Sequence, residues 1–197
     1  MQNLFVSGSD LVMQNISADA YIEPFPHIIY HNFYDDKELN LIWEELDFYT
    51  KPNKLFDVED YKGVVGYTKA KATHLDSVYI GRNRKISNIL DISRKVFNNQ
   101  VLEPFAKLHD SCSFANSSNY DVTKVRYYHN GDYYKPHTDK YYEFLAFSYF
   151  YREPKRFDGG HLIFPKYDYE YNCEHNSLIV MPLSLIHISE PTRHGLI

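Results

Sequence analysis

Excess positive charge, cysteine and long apolar runs are all scarce in this chain. The formal net charge is -5 and the isoelectric point is near 6.0. That balance argues against the cationic footprint that binds nucleic acid. The one basic cluster, Arg82-Asn-Arg84-Lys85, reads as a solvated loop or helix start. Cysteine occurs twice, at Cys112 and Cys173. Neither number nor spacing makes a disulfide framework or a zinc site, so free thiols are expected. No apolar run approaches the roughly 18 residues of a membrane-crossing helix. Residues 1–20 lack a basic segment followed by an apolar core, so no secretory leader is expected. Internal repeats and low-complexity linkers are missing as well. A cytoplasmic protein with no membrane or nucleic-acid partner follows as the expectation.

Aromatic residues are abundant, at 17% of the chain, with 19 tyrosines among 197 residues. Rings of this kind favour strands and cores, and the length suits one domain. Asp35-Asp-Lys-Glu38 is a capping-box pattern. Leu39, Ile42, Trp43 and Leu46 follow at helical spacing, which predicts a helix over residues 36–48 with Trp43 in the core. Ile86, Ile89, Leu90, Val96 and Phe97 predict a second helix that ends before Pro104. The polar stretch 50–79 between them reads as a loop, either over a site or on the plain surface. Further on, residues 122–128, 144–151, 161–165 and 176–182 read as short strands separated by turn signals, Gly159-Gly160 among them. Short strands at such spacing point to a β-sandwich or barrel.

One motif carries chemistry. Tyr128, Gly131, Tyr134, His137 and Asp139 form the pattern Y-x-x-G-x-x-Y-x-x-H-x-D. An H-x-D at a strand end supplies two protein ligands of a 2-His-1-carboxylate iron site, which leaves the remaining positions open. A bare H-x-D is weak evidence, and the chain holds a second one, His74-Leu-Asp76. Nothing like Y-x-x-G-x-x-Y precedes that copy, so His74 is expected not to bind metal. His129, His161 and His175 have no ligand spacing. Arg126 is expected to face outward from its strand.

The motif, the aromatic strand after it, the Gly159-Gly160-x-Leu-Ile-Phe-Pro turn and strand, and Asn176-Ser-Leu-Ile-Val-Met-Pro together resemble the 2-oxoglutarate- and Fe(II)-dependent dioxygenases, in their prolyl 4-hydroxylase-like branch. The opening Ile22-Glu-Pro-Phe-Pro-His-Ile-Ile-Tyr resembles the same family's first strand. The resemblance implies a mainly β fold with flanking helices (α+β), a double-stranded β-helix or jelly roll. It implies Fe(II) held by His137, Asp139 and a distal histidine, with 2-oxoglutarate and O2 as co-substrates and ascorbate as the family's reductant. Tyr128 is implied to meet 2-oxoglutarate, with Tyr149, Tyr151 and Leu162 lining the same pocket; strand alternation puts Tyr149 and Tyr151 on one face, where a core role for either is equally open. The implied reaction hydroxylates an unactivated C–H of a prolyl residue in a protein or peptide, of a free amino acid or of another small molecule. The charge balance argues against a nucleobase substrate.

The last residues read differently. His187 falls five residues past Pro182, the distal-ligand spacing of the family, but Arg193 comes too soon after it to serve as the family's basic anchor for 2-oxoglutarate. Residues 183–193 also resemble the translation of a transposase-based sequencing adaptor. The expectation is a dioxygenase domain over residues 1–182, truncated at its C-terminus, followed by a non-native tail over 183–197. His187 is then a geometric candidate only, and turnover by this chain is expected to be poor. Two other readings stay open: a non-catalytic jelly-roll or cupin-like binding module, and a metal-dependent hydrolase using His137 and Asp139.

Overall fold

The structure is a computed structural model that describes residues 16–57, 68–137, 142–183, 188–190 and 193–194. The chain begins with an antiparallel hairpin of β1 (Ser17–Tyr21) and β2 (His27–His31). Helix α1 (Asp36–Tyr49) follows, one residue longer than the sequence predicts. Its capping box is formed: the Asp35 carboxylate accepts from Glu38 N at 2.8 Å, and Glu38 Oε2 accepts from Asp35 N at 3.0 Å.

The stretch expected as a loop holds structure. It contains β3 (Phe56–Asp57), β4 (Thr68–Lys69), β5 (Lys71–His74) and the short helix α2 (Leu75–Val78). Leu55, Thr68, Ala70, Ala72, Thr73 and Leu75 are buried in it. Two alanines give almost no period-2 signal, so polarity dominated the sequence reading.

The expected second helix is broken and its end is displaced. It divides into a 3-10 turn at Gly81–Ile86, helix α3 (Asn88–Ser93) and a 3-10 turn at Arg94–Phe97. A separate helix α4 (Asn99–Leu108) then contains Pro104 rather than stopping before it. Proline removes one ladder bond from the helix. Burial of Val101, Leu102, Phe105 and Ala106 along one face outweighs that loss. A 3-10 segment, Asp110–Ser117, leads toward β6 (Lys124–Tyr127) and β7 (Tyr133–His137).

The remaining strands are β8 (Phe144–Tyr149), β9 (Asp158–Gly159), β10 (Leu162–Phe164), β11 (Tyr169–Tyr171), β12 (Ser177–Pro182), β13 (Ile188–Glu190) and β14 (Arg193–His194). They assemble with the earlier strands into antiparallel sheets ordered β1-β2-β12-β8, β11-β10-β13-β7-β4, β14-β9 and β3-β5-β6. Helical and strand residues are about equally numerous among the described residues, so the fold is α+β rather than mainly β. No closed barrel forms among the described residues. None of their helices is long and apolar enough to cross a membrane.

Alternation along β2, β8 and β12 explains the layering. Ile28, Tyr30, Leu178, Val180 and the half-buried Phe144 and Ala146 face one way, onto Ile42 of α1 and Val101, Leu102 and Phe105 of α4. Ile29, Ile179, Met181, Leu145 and Phe147 face the other way, onto Leu162, Phe164 and Tyr171 of β10 and β11. The register makes the alternation consistent across strands: Ile179 pairs with both Ile29 and Phe147, and Val180 with both Ile28 and Ala146. β12 is therefore covered on both faces and buried throughout. Leu183, placed at the start of the tail by the sequence, is fully buried in the inter-sheet core, and its N–H donates to Glu143 O at 3.1 Å.

Candidate functional site

The motif's glycine makes a turn. His129 O accepts from Asp132 N at 3.1 Å, and Gly131 at the third position has φ +77°, the left-handed region a type II turn needs there. Asp132 is 4% exposed, and its carboxylate locks the turn by accepting from His129 N at 2.7 Å. Lys69 of β4 approaches the same carboxylate at 3.5 Å. The turn delivers the chain into β7, which ends at His137.

His137 is half-buried at that end. Its Nδ1 lies 3.1 Å from Lys135 O. A carbonyl only accepts, so Nδ1 carries a proton, and the neutral ring in that tautomer would offer Nε2 to a metal. The ring stacks on Tyr134 at 3.8 Å between centroids and 20° between planes. Residues three apart on a regular strand face opposite sides. Here His137 pairs with Ile188 and Tyr134 with Glu190, so three steps along β7 match two along β13. That is a β-bulge, in the stretch containing Pro136, which has no N–H for the ladder. The bulge turns His137 onto the Tyr134 side.

Asp139 and His187 lie outside the described residues. β13 starts one residue after His187, and its first residue is the cross-strand partner of His137. Among the described residues no three metal-ligating side chains cluster.

Tyr128 is half-buried against Ala70 and Ala72, and its hydroxyl accepts from Arg126 Nη1 at 3.0 Å. Arg126 does not face outward as the sequence suggested. Its guanidinium carbon sits 4.5 Å from the Tyr134 ring centroid. Arg126 and Tyr128 share a face of the β6 line, and Ala72, the cross-strand partner of Arg126, is small enough to leave room for both. β4 pairs with β7 and β5 with β6, and only Ala70 separates β4 from β5, so the chain itself ties the Arg126 strand to the His137 strand. The signal for Arg126 in the sequence was its position two residues before Tyr128.

Tyr149 is in the inter-sheet core, 5.9 Å from Tyr171. Burial holds its hydroxyl well above the ordinary phenol value; Cys173 and Tyr171 push the same way, and the charge of Arg126 pulls against them. Leu162 is fully buried in that core. Tyr151 is not brought to Tyr149. β8 ends at Tyr149, so the strand alternation that would have aligned them stops, and the Tyr151 ring packs on Phe157 and His175 at 5.5 and 5.3 Å.

The second H-x-D has a structural job. Asp76 is ion-paired to Arg84, and its Oδ2 accepts from Thr123 N at 2.5 Å. Arg84 continues to Asp121 at 2.9 Å. His129 is bound to Asp132, His161 is ion-paired to Glu170, and His175 Nδ1 accepts from Tyr151 N at 3.3 Å.

No protein-family model matches the chain, and no curated protein matches it.

Proposed function

We propose that this chain is an Fe(II)- and 2-oxoglutarate-dependent dioxygenase of the prolyl 4-hydroxylase-like kind, hydroxylating an unactivated C–H of a prolyl residue or a free amino acid. In this reading the two sheets that meet across Ile179 and Phe164 are the halves of a double-stranded β-helix. His137 through Nε2, the Asp139 carboxylate and the His187 imidazole would hold the metal. The observation that carries the reading is His137 itself: a strand-end histidine held through Nδ1 by the Lys135 carbonyl, opposite the strand that follows His187. Donor chemistry fits, since two imidazoles and a carboxylate suit non-haem Fe(II). Bound there, iron supplies the O2 activation that no side chain can provide.

The chain's own part is orientation and dryness. The Lys135 carbonyl and the Tyr134 face fix the His137 ring in place before metal arrives. Tyr128 presents a hydroxyl on the side where the co-substrate would lie. Leu162, Phe164 and Ile179 form a dry core between the sheets. Metal ligation needs neutral imidazole and ionised carboxylate, so affinity falls in acid.

Succinate formation from 2-oxoglutarate, with Fe(II) and a panel of prolyl peptides and free amino acids, tests the reading. Slow substrate-dependent succinate formation, abolished by His137→Ala, is the expected result. Turnover unchanged by His137→Ala would reject it.

A further inference from the structure

The basic cluster Arg82-Asn-Arg84-Lys85 has no part in the proposed chemistry. It stands in the 3-10 turn Gly81–Ile86, whose first bond runs from Asn83 N to Ile80 O at 3.2 Å. Such a turn has about three residues per revolution, so side chains three apart eclipse. Ile80, Asn83 and Ile86 therefore form one stripe, and Arg82 and Lys85 the next. Arg84 points a third way, into its ion pairs with Asp76 and Asp121. We infer that this turn and the facing side of α1 are a docking surface for an acidic segment of a partner protein, one that inserts a large apolar side chain. The inference is independent of the proposed reaction.

Shape gives the first argument. Between the turn and α1 lies a concavity of about 260 Å³, lined by Glu44, Glu45, Phe48, Tyr79, Ile86 and Asn88. It is smaller than the roughly 300–1,000 Å³ of small-molecule sites and suits a single side chain. Apolar groups stand open around it: Ile80 is 71% exposed, Ile86 69% and Phe48 42%. One exposed isoleucine needs no explanation, but several large apolar groups about one concavity mark a contact surface. The walls are tied to each other beforehand. Ser87 Oγ donates to Glu45 Oε1 at 2.7 Å, Ile89 N to Glu45 Oε2 at 2.8 Å, and Tyr49 Oη to Tyr79 Oη at 3.1 Å. A concavity fixed in this way costs little further ordering when it is filled.

Charge selects the occupant. Lys54 Nζ sits 4.9 Å and Lys51 Nζ 6.0 Å from the Phe48 ring centroid. Neither of them, nor Arg82 or Lys85, is ion-paired among the described residues. These cations outnumber the carboxylates Glu44 and Glu45, in a chain whose net charge is -5. An apolar centre inside a charged rim is the build of a protein–protein contact, and a cationic rim steers and selects an anionic partner. A second copy of the chain would bring the same cations to a two-fold contact, like against like. An anionic bilayer would have to cover Glu44 and Glu45. A peptide segment can instead place its apolar side chain beside them and its own carboxylates over the lysines and Arg82.

The test is selection from a phage-displayed library of random peptides on the 197-residue protein, counter-selected on Phe48→Ser/Ile86→Ser. The expected consensus has Asp or Glu on both sides of a Phe, Leu or Ile. The synthesised consensus peptide should bind the double variant about tenfold or more weakly than the wild type. Both substituted residues are exposed, so urea unfolding should show no loss of the fold. Arg82→Glu/Lys85→Glu tests charge alone: it should weaken the same peptide severalfold at low salt and flatten its salt dependence. That variant decides the matter if Phe48→Ser/Ile86→Ser does not fold. No enrichment on the wild type, a basic or uncharged consensus, or affinity unchanged in Arg82→Glu/Lys85→Glu would overturn the inference. Sedimentation with phosphatidylserine-containing vesicles runs alongside. Vesicle binding that is lost in Phe48→Ser/Ile86→Ser, with no peptide enriched, would overturn it in favour of a membrane contact.

Discussion

Tyr134 and His137 stack ring on ring at 3.8 Å, although they stand three residues apart on one strand. The extra residue in β7 makes the contact possible, and the contact then orients the imidazole.

Replacing Tyr134 by Leu keeps apolar bulk but removes the flat face. Divalent-metal affinity should fall about tenfold, the usual cost of losing an outer partner of a metal-binding histidine. Tyr134→Phe should leave that affinity unchanged. Titration with Mn(II), followed by its paramagnetic resonance signal, separates the two variants.

Much of this arrangement was legible in the sequence. The capping box of α1, the Gly131 turn and the buried strand β12 were all readable, because each rests on local chemistry or an uninterrupted apolar run. What escaped was non-local. Residues 68–69 and 71–74 become strand only because β3, β6 and β7 pair with them. Pro104 sits inside α4 because tertiary burial overrides its local cost. Arg126 turns inward because Ala72 opposite it is small, a fact no single strand reveals. Tyr151 is not aligned with Tyr149 because β8 stops two residues earlier than its aromatic run.

His27 makes the fold acid-sensitive. It is fully buried, its Nδ1 donates to Phe25 O at 2.8 Å, and its Nε2 accepts from the Tyr169 hydroxyl at 3.1 Å. Burial pushes its pKa down from 6.5 to about 4, against a weaker upward pull from the Phe25 carbonyl. The unfolded chain therefore binds a proton below 6.5 that the folded chain refuses. Stability from this group is complete above that pH and is lost as the pH falls from 6.5 toward 4, by an amount on the order of 3 kcal/mol. Urea unfolding across this window should show the loss in the wild type and a flatter dependence in His27→Gln, even though that variant starts less stable.

The two H-x-D motifs should separate cleanly by what they do. Asp76→Ala unpairs Arg84 and strands Thr123 N–H, at a cost of about 1–3 kcal/mol in unfolding free energy. Metal affinity should not change. Denaturant unfolding and Mn(II) titration on the same sample check both halves.

His137 as a metal ligand is the central claim. Co(II) titration read by visible absorption measures this without needing the substrate. Binding of one ion per chain, retained in His74→Ala and abolished in His137→Ala, is the predicted result. Full Co(II) binding by His137→Ala, or its loss in His74→Ala, would contradict the account.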